Sequence, residues 1–265
     1  MNAANSPADS GPAMISFSHA AIELGGKLIV DDLSFSIAKG EFVCIIGASG
    51  CGKTTALRLA AGLYQPSAGE VRFDGAPMLA PRRDIAIIFQ DYGKALLPWR
   101  TAFGNVSLAL EAAGVPASQR APRINELLKK VGLPDHAQKY PAEMSGGMQQ
   151  RLQIARCLAQ DPVALLMDEP FGALDAMTRQ GLQDEVLSLV AASGATVLFV
   201  THDLEEAIYL GDRVIGLLPH PGRIGIEVKV DLPRPRDQLA TRENPEFLRL
   251  RRELFDFIKA TETQG

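Results

Sequence analysis

The chain has 265 residues, enough for one domain with a large core or for a domain carrying a large insertion. Its hydrophobic content of 46% and charged content of 22% are those of a globular protein. The net charge of −4, from 27 basic against 31 acidic residues, argues against nucleic acid as the main partner, because neutralising phosphates takes a basic surface.

Residues 1–13 are small and polar, with neither the basic start nor the apolar centre of a signal peptide, and read as a leader outside the fold. No run reaches the ~18–20 apolar residues of a membrane span. The stretch from Ile15 to Ile37 alternates loosely around Gly25-Gly26, which predicts a hairpin with strands at Leu28-Ile29-Val30 and Leu33-Ser34-Phe35-Ser36-Ile37. Phe42-Val43-Cys44-Ile45-Ile46 is apolar throughout and predicts a buried parallel strand.

That strand runs into Gly47-Ala48-Ser49-Gly50-Cys51-Gly52-Lys53-Thr54-Thr55, which fits G-x-x-x-x-G-K-[ST], the phosphate-binding loop. A predicted helix, Ala56-Leu57-Arg58-Leu59-Ala60-Ala61, follows it and is closed by Gly62. This is the strand–loop–helix setting that the motif requires. Glycines let the backbone curl around an anion, and the positive end of the next helix adds to the attraction. Lys53 is placed to reach the terminal phosphates of a nucleoside triphosphate, and the Thr54 hydroxyl to ligate Mg²⁺. A plain Gly-rich turn after a strand is the rival reading of this stretch taken alone.

Val71-Arg72-Phe73 predicts a strand, Asp74-Gly75 a tight turn, and Ile85-Ala86-Ile87-Ile88-Phe89 a buried strand ending at Gln90. From 91 to 159 the pattern turns helical, with helices predicted over 105–113, 118–131 and 148–159. Val163-Ala164-Leu165-Leu166-Met167 then reads as a strand ending in Asp168-Glu169. A helix over 176–192, a strand over 196–200 ending at Thr201-His202, a helix over 203–210 and a strand over 213–218 follow. The region from Arg234 to Arg252 is locally basic and reads as a solvated face, with lipid headgroups as the alternative. A last helix over 245–260 carries Phe247, Leu250, Leu254 and Ile258 on one face.

The three cysteines lack metal-ligand spacing and fit a reducing compartment. Cys44 and Cys157 read as small core residues. Cys51 sits in the phosphate loop, either as an oxidisable control point or as a small residue the loop tolerates.

The fold class expected is α/β: a phosphate-loop NTPase core with a largely parallel sheet, an N-terminal antiparallel β subdomain and an α-helical subdomain inserted at about 91–160. The domain spans 14–240, with 241–265 as a C-terminal helix and tail. In such sheets ligands collect at the carboxyl ends of the strands. Four strands here end in capable groups: the phosphate loop, Gln90, Asp168-Glu169 and His202. Asp168 is placed to hold Mg²⁺, and Glu169 to orient or deprotonate an attacking water.

One further stretch, Met144-Ser145-Gly146-Gly147-Met148-Gln149-Gln150-Arg151, is similar to the signature motif of the ATP-binding subunits of ABC transporters. Asp168-Glu169-Pro170 resembles that family's second nucleotide motif and Ala173-Leu174-Asp175 its D-loop. Gln90 falls at the glutamine loop and His202 at the switch histidine. The match runs from Ile15 to Leu218. Phe89-Gln90-Asp91 with Leu96-Leu97-Pro98-Trp99-Arg100-Thr101 resembles the importers of nitrate, aliphatic sulfonates or taurine.

The resemblance implies ATP and Mg²⁺ as cofactors, with Thr54, Gln90 and Asp168 at the metal and Lys53, Glu169 and His202 as the catalytic group. It implies a homodimer docked head to tail. Ser145, Gly146, Gly147 and Gln149 of one copy would then close on the nucleotide held by the other, with Asp175 at the same junction. Ser145-Gly146-Gly147 opens a helix and so offers anion-seeking N–H groups. The further partners implied are a separate transmembrane permease and, beyond it, a solute-binding protein. The implied location is peripheral, on the cytoplasmic face of the inner membrane.

Two positions depart from the family pattern. Met144 replaces the usual leucine, a conservative apolar exchange. Leu24 falls where an aromatic usually stacks on adenine, with Phe17 as the alternative source of a ring. Two rival classes remain. An ABC-type ATPase of DNA repair or chromosome maintenance would carry long coiled coils, zinc-ligand cysteines or tandem ATPase halves. A small-molecule kinase would have no use for Ser145-Gly146-Gly147.

Overall fold

The computed structural model describes residues 13–90, 95–172 and 174–262. The leader apart from Ala13, and Asp91 and Ala173 of the motifs above, lie outside the described residues.

Strands β1 (Ala13–Leu24) and β2 (Lys27–Ala38) form the antiparallel hairpin around Gly25-Gly26. Strand β3 (Phe42–Gly47) leads through the phosphate loop into helix α1 (Lys53–Ala60). Strands β4 (Ala68–Phe73) and β5 (Ala76–Pro77) turn back onto the hairpin, giving a four-stranded sheet of order β2-β1-β4-β5. After β6 (Ile85–Ile88) come α2 (Ala102–Ala112), α3 (Ala117–Lys130) and α4 (Gly146–Leu158). Then β7 (Ala164–Asp168), α5 (Ala176–Ser193), β8 (Thr196–Val200), α6 (Leu204–Leu210), β9 (Arg213–Leu218) and β10 (Arg223–Lys229) complete the second sheet. Helices α7 (Ala240–Glu243) and α8 (Pro245–Glu262) end the described chain.

The second sheet has the order β10-β9-β3-β8-β7-β6, parallel from β9 to β6, with β10 antiparallel at one edge. Its central strands are apolar because both faces are covered. Side chains alternate across it. Phe42, Cys44 and Ile46 join one core with α2–α4 and α8, whereas Val43 and Ile45 join the other with α1 and the hairpin sheet. Local chemistry marks the helix starts. Thr101, Ser145, Asp175 and Asp203 cap α2, α4, α5 and α6 through side-chain oxygens that accept first-turn N–H groups, and Gly194 ends α5 at φ 66°.

Several details depart from the sequence reading. The hairpin strands are longer than Leu28–Val30 and Leu33–Ile37 suggested, because bulges at His19 (φ 49°) and Asp32 (φ 51°) interrupt the alternation without ending the pairing. Strand β6 ends at Ile88, so Phe89 lies beyond the ladder and is partly exposed. Strand β10 was not anticipated, although Ile224, Ile226 and Val228 alternate. Part of the basic region is engaged within the fold. Arg234 bonds Asp212, Arg236 donates to Gly211 O, and Arg242 and Arg251 both bond Glu205 of α6.

Helix α8 buries Phe247, Leu250 and Leu254 completely in the same core as the signature-bearing helix α4. Phe247→Ala is expected to cost about 3–5 kcal/mol in urea unfolding of the isolated chain. A loss below about 1 kcal/mol would make α8 an appendage rather than part of the core.

Candidate functional site

Strands β3, β8, β7 and β6 are neighbours in that order, so their carboxyl ends deliver four groups to one edge of the sheet. The loop after β3 depends on glycine at two close approaches. A Cβ on Gly47 would meet Cys51 Sγ at 2.6 Å and Leu217 O at 2.9 Å. Gly52, at φ 96°, starts α1 in a left-handed conformation, and a Cβ there would meet Val30 Cγ2 at 2.7 Å. The Lys53 side chain is buried within the loop, where Nζ donates to Gly47 O (2.7 Å) and Ala48 O (2.9 Å).

The Thr54 hydroxyl donates to Asp168 Oδ1 at 3.1 Å, so the end of β7 and the start of α1 are tied together. Burial pushes the Asp168 carboxyl above the usual carboxylate range, and the Thr54 hydroxyl partly opposes this. Glu169 has φ 47°, an uncommon backbone for a non-glycine residue, and its N–H donates to Val200 O (2.9 Å). That conformation turns its carboxylate between two partners. Gln90 Nε2 donates to Glu169 Oε2 at 3.1 Å, and His202 Nδ1 lies 3.2 Å from the same oxygen.

Together Ser49, Gly50, Gly52, Lys53, Thr54, Thr55, Gln90, Glu169, His202 and Ile29 line an open cavity of about 520 Å³. Ile29 was not singled out in the sequence. It reaches the site only because the β1–β2 hairpin folds over the loop, and no local pattern announces that. Leu24 is exposed at the tip of the same hairpin and does not line the cavity. Phe17 cannot supply a ring, because it is buried and stacks on Phe35 with centroids 4.5 Å apart. Cys51 is fully buried, and burial pushes its thiol up, so the loop holds it as a small packed residue rather than an accessible thiolate.

The signature residues lie elsewhere. Ser145 is exposed at the start of α4, where its Oγ accepts Met148 N–H (3.3 Å). Gln149 Nε2 donates to Pro141 O (2.9 Å) and Met144 O (3.2 Å), which fixes the turn before the helix. Gly146 and Gly147 follow, half-buried. None of the four lines the cavity around Lys53. Asp175 caps α5 by accepting Thr178 N–H at 3.0 Å, and that bond holds its carboxyl below the usual range.

A second buried carboxylate, also missed in the sequence, stands behind His202. Glu206 accepts from Thr201 Oγ1 (2.6 Å) and Gln183 Nε2 (3.0 Å), so it braces the turn that carries the histidine against α5.

This geometry suits binding a nucleoside triphosphate beside a carboxylate held ready for water, and comparison with known proteins agrees. The family model described as ABC transporter matches residues 30–172. The nitrate import ATP-binding protein NrtC of Synechococcus elongatus is 46% identical over 239 residues, 89% of this chain and 36% of that longer protein. An aliphatic sulfonates import ATP-binding protein of Burkholderia cenocepacia is 44% identical over 232 residues, 88% of this chain and 82% of its own. A solved ATP-binding cassette, dimeric in a post-hydrolysis state with ADP and Pi, superimposes with a TM-score of 0.73 at 32% identity, covering 82% of this chain and 99% of that one. The chain belongs to the ABC transporter family and is an ATP-binding, ATP-hydrolysing subunit of that kind.

Proposed function

We propose that this chain powers a solute importer, and that its ATPase site is completed by a second copy docked head to tail. One observation carries the reading: the two halves of the site are on the chain but apart. Lys53, Glu169 and His202 line the cavity, with Asp168 buried behind Thr54, while the exposed, Ser145-capped start of α4 is not part of its lining. A helix start of this kind suits an anion, and the γ-phosphate of a nucleotide in the other copy supplies one.

In this account Lys53 grips the phosphates, and Glu169, steadied by Gln90 and His202, takes the proton of the attacking water. The Thr54 hydroxyl and Asp168 carboxylate, with the Gln90 amide beside them, form the sparse oxygen set that Mg²⁺ takes when phosphates supply the remainder. That ion would neutralise the charge on the phosphates. Among the described residues no cluster of three His, Cys, Asp or Glu side chains forms a denser cage. Asp175, at the start of α5, would meet the partner copy's site.

A permease partner is supported by the turn before α2. Among the described residues no helix is long and apolar enough to cross a membrane. Yet Trp99 is 71% exposed beside exposed Pro98, while Leu96 is buried. The buried Asn105 fixes this turn: its Oδ1 accepts Leu97 N–H (2.9 Å) and its Nδ2 donates to Leu97 O (3.2 Å) and Arg100 O (3.0 Å). An exposed tryptophan on a rigid turn has the character of an interface anchor. Trp99 itself is not packed in a core. The chain would therefore sit at the cytoplasmic face of the membrane, on a permease fed by a solute-binding protein. The relatives' names favour a small oxyanion of the nitrate or sulfonate type.

Glu169→Gln is expected to lower turnover by at least 10²-fold while nucleotide binding persists, the usual scale for a general base, and to accumulate an ATP-bound dimer on size exclusion. Near-normal turnover would remove Glu169 from that role. Trp99→Ala is expected to leave the melting temperature and basal hydrolysis of the isolated subunit unchanged, but to abolish stimulation by the permease in vesicles. Full retention of stimulation would place the contact elsewhere.

A further inference from the structure

Strand β6 is the edge strand of the parallel sheet, and its last ladder residue is Ile88, opposite Met167. Phe89 continues past the ladder, so its N–H and C=O need partners that no strand supplies. They find them on α4. The Gln153 side chain is fully buried. Its carboxamide, oriented to satisfy both groups, accepts Phe89 N–H at 2.8 Å and donates to Phe89 O at 3.2 Å. A side-chain amide thus stands in for one residue of an absent neighbouring strand. One turn further along the same face, Cys157 Sγ donates to Ile87 O at 3.2 Å, and burial keeps that thiol protonated by pushing it up to about 11. Helix α4 is therefore pinned, from positions i and i+4, to Phe89 just past β6 and to Ile87 within it.

The consequence lies in what stands at the two ends of this link. Phe89 is followed directly by Gln90, whose amide reaches Glu169 in the nucleotide cavity. Helix α4 begins at Ser145, roughly 12 Å of helix from Gln153 at 1.5 Å per residue. We propose that Gln153 is a positioning residue that couples the two. By locking the Phe89 backbone to α4, it makes any displacement of Gln90 by bound nucleotide a displacement of the whole helix that presents Ser145, Gly146 and Gly147. The link is a contiguous one of two hydrogen bonds and a rigid helix, whose arrangement both half-sites bias. It rests on the head-to-tail reading above and assigns the residue through which ATP binding in one half-site prepares the other.

The test uses the full chain carrying Glu169→Gln, so that ATP-driven dimers accumulate. Gln153→Met keeps the volume and removes both bonds. Gln153→Glu keeps the acceptor for Phe89 N–H and loses the donor, and serves as the readout where the Met variant does not fold. Two quantities are measured: the ATP concentration at half-dimerisation by light scattering, and the affinity of the monomer for ADP by fluorescence. For Gln153→Met we expect about tenfold more ATP to be needed, within the usual range of coupling between sites. The Glu variant should fall between it and the parent, and ADP affinity should be unchanged in both. Dimerisation at the parent's ATP concentration in both variants would overturn the proposal. So would an equal loss of ADP affinity, because the residue would then only hold the nucleotide site together. A Glu169→Gln parent that stays monomeric at saturating ATP would sink the head-to-tail reading itself, and the coupling with it. That result is distinct from a parent that dimerises and variants that dimerise equally well.

Discussion

A lysine ammonium buried at the end of a wholly apolar strand is costly unless partners surround it, and most of this structure answers that constraint. Lys53 sits on two carbonyl oxygens of its own loop, with Asp168 and Glu169 brought to the same edge by β7, which lies one strand beyond β8. The strand must be apolar because helices cover one face of the sheet and the hairpin sheet the other. The loop must be glycine-rich because Cys51, Leu217 and Val30 crowd it from both sides. Each requirement is local, but together they put a concentrated positive charge at the rim of a preorganised cavity.

The carboxylates stand near that charge in separate environments. Asp168 is buried and tied to Thr54, and burial holds its carboxyl above the usual carboxylate range. Glu169 is turned by its unusual backbone toward Gln90 and His202. Neighbouring residues thus occupy different environments because one still belongs to the strand and the next has left it. Behind them Glu206 braces the histidine turn, and Arg242 of α7 and Arg251 of α8 both bond Glu205 of α6. The C-terminal helix therefore packs on the helix that follows His202.

What could be read in the sequence was whatever local chemistry dictates. The phosphate loop, the apolar strands ending in Gln90, Asp168-Glu169 and His202, and the helix opened by Ser145-Gly146-Gly147 all carry their signals within a few residues. The signals failed where partners come from far along the chain. The bulges at His19 and Asp32 broke the alternation that marks a strand, so the hairpin read as fragments. Strand β10 alternates clearly, but it lies on an edge after a turn and was passed over. Ile29 and Gln153 matter only through what they touch, a loop and a strand end brought to them by folding. An apolar residue in a loop, such as Trp99, fits a core as well as a surface by sequence, and its exposure is set by the turn that Asn105 braces.

The central claim is that one copy's Lys53 works with the other copy's Ser145, and mixing two inactive variants tests it most directly. Lys53→Ala removes the phosphate grip, and Ser145→Arg blocks the signature segment at the start of α4. Each alone is expected to be inactive, because every site in its dimer carries the defect. In a mixed dimer one site combines an intact Lys53 with an intact Ser145, so ATP hydrolysis should return on mixing. A mixture as silent as its components, with both variants folded and able to dimerise, would contradict the account. So would a Ser145→Arg protein that hydrolyses ATP at the wild-type rate.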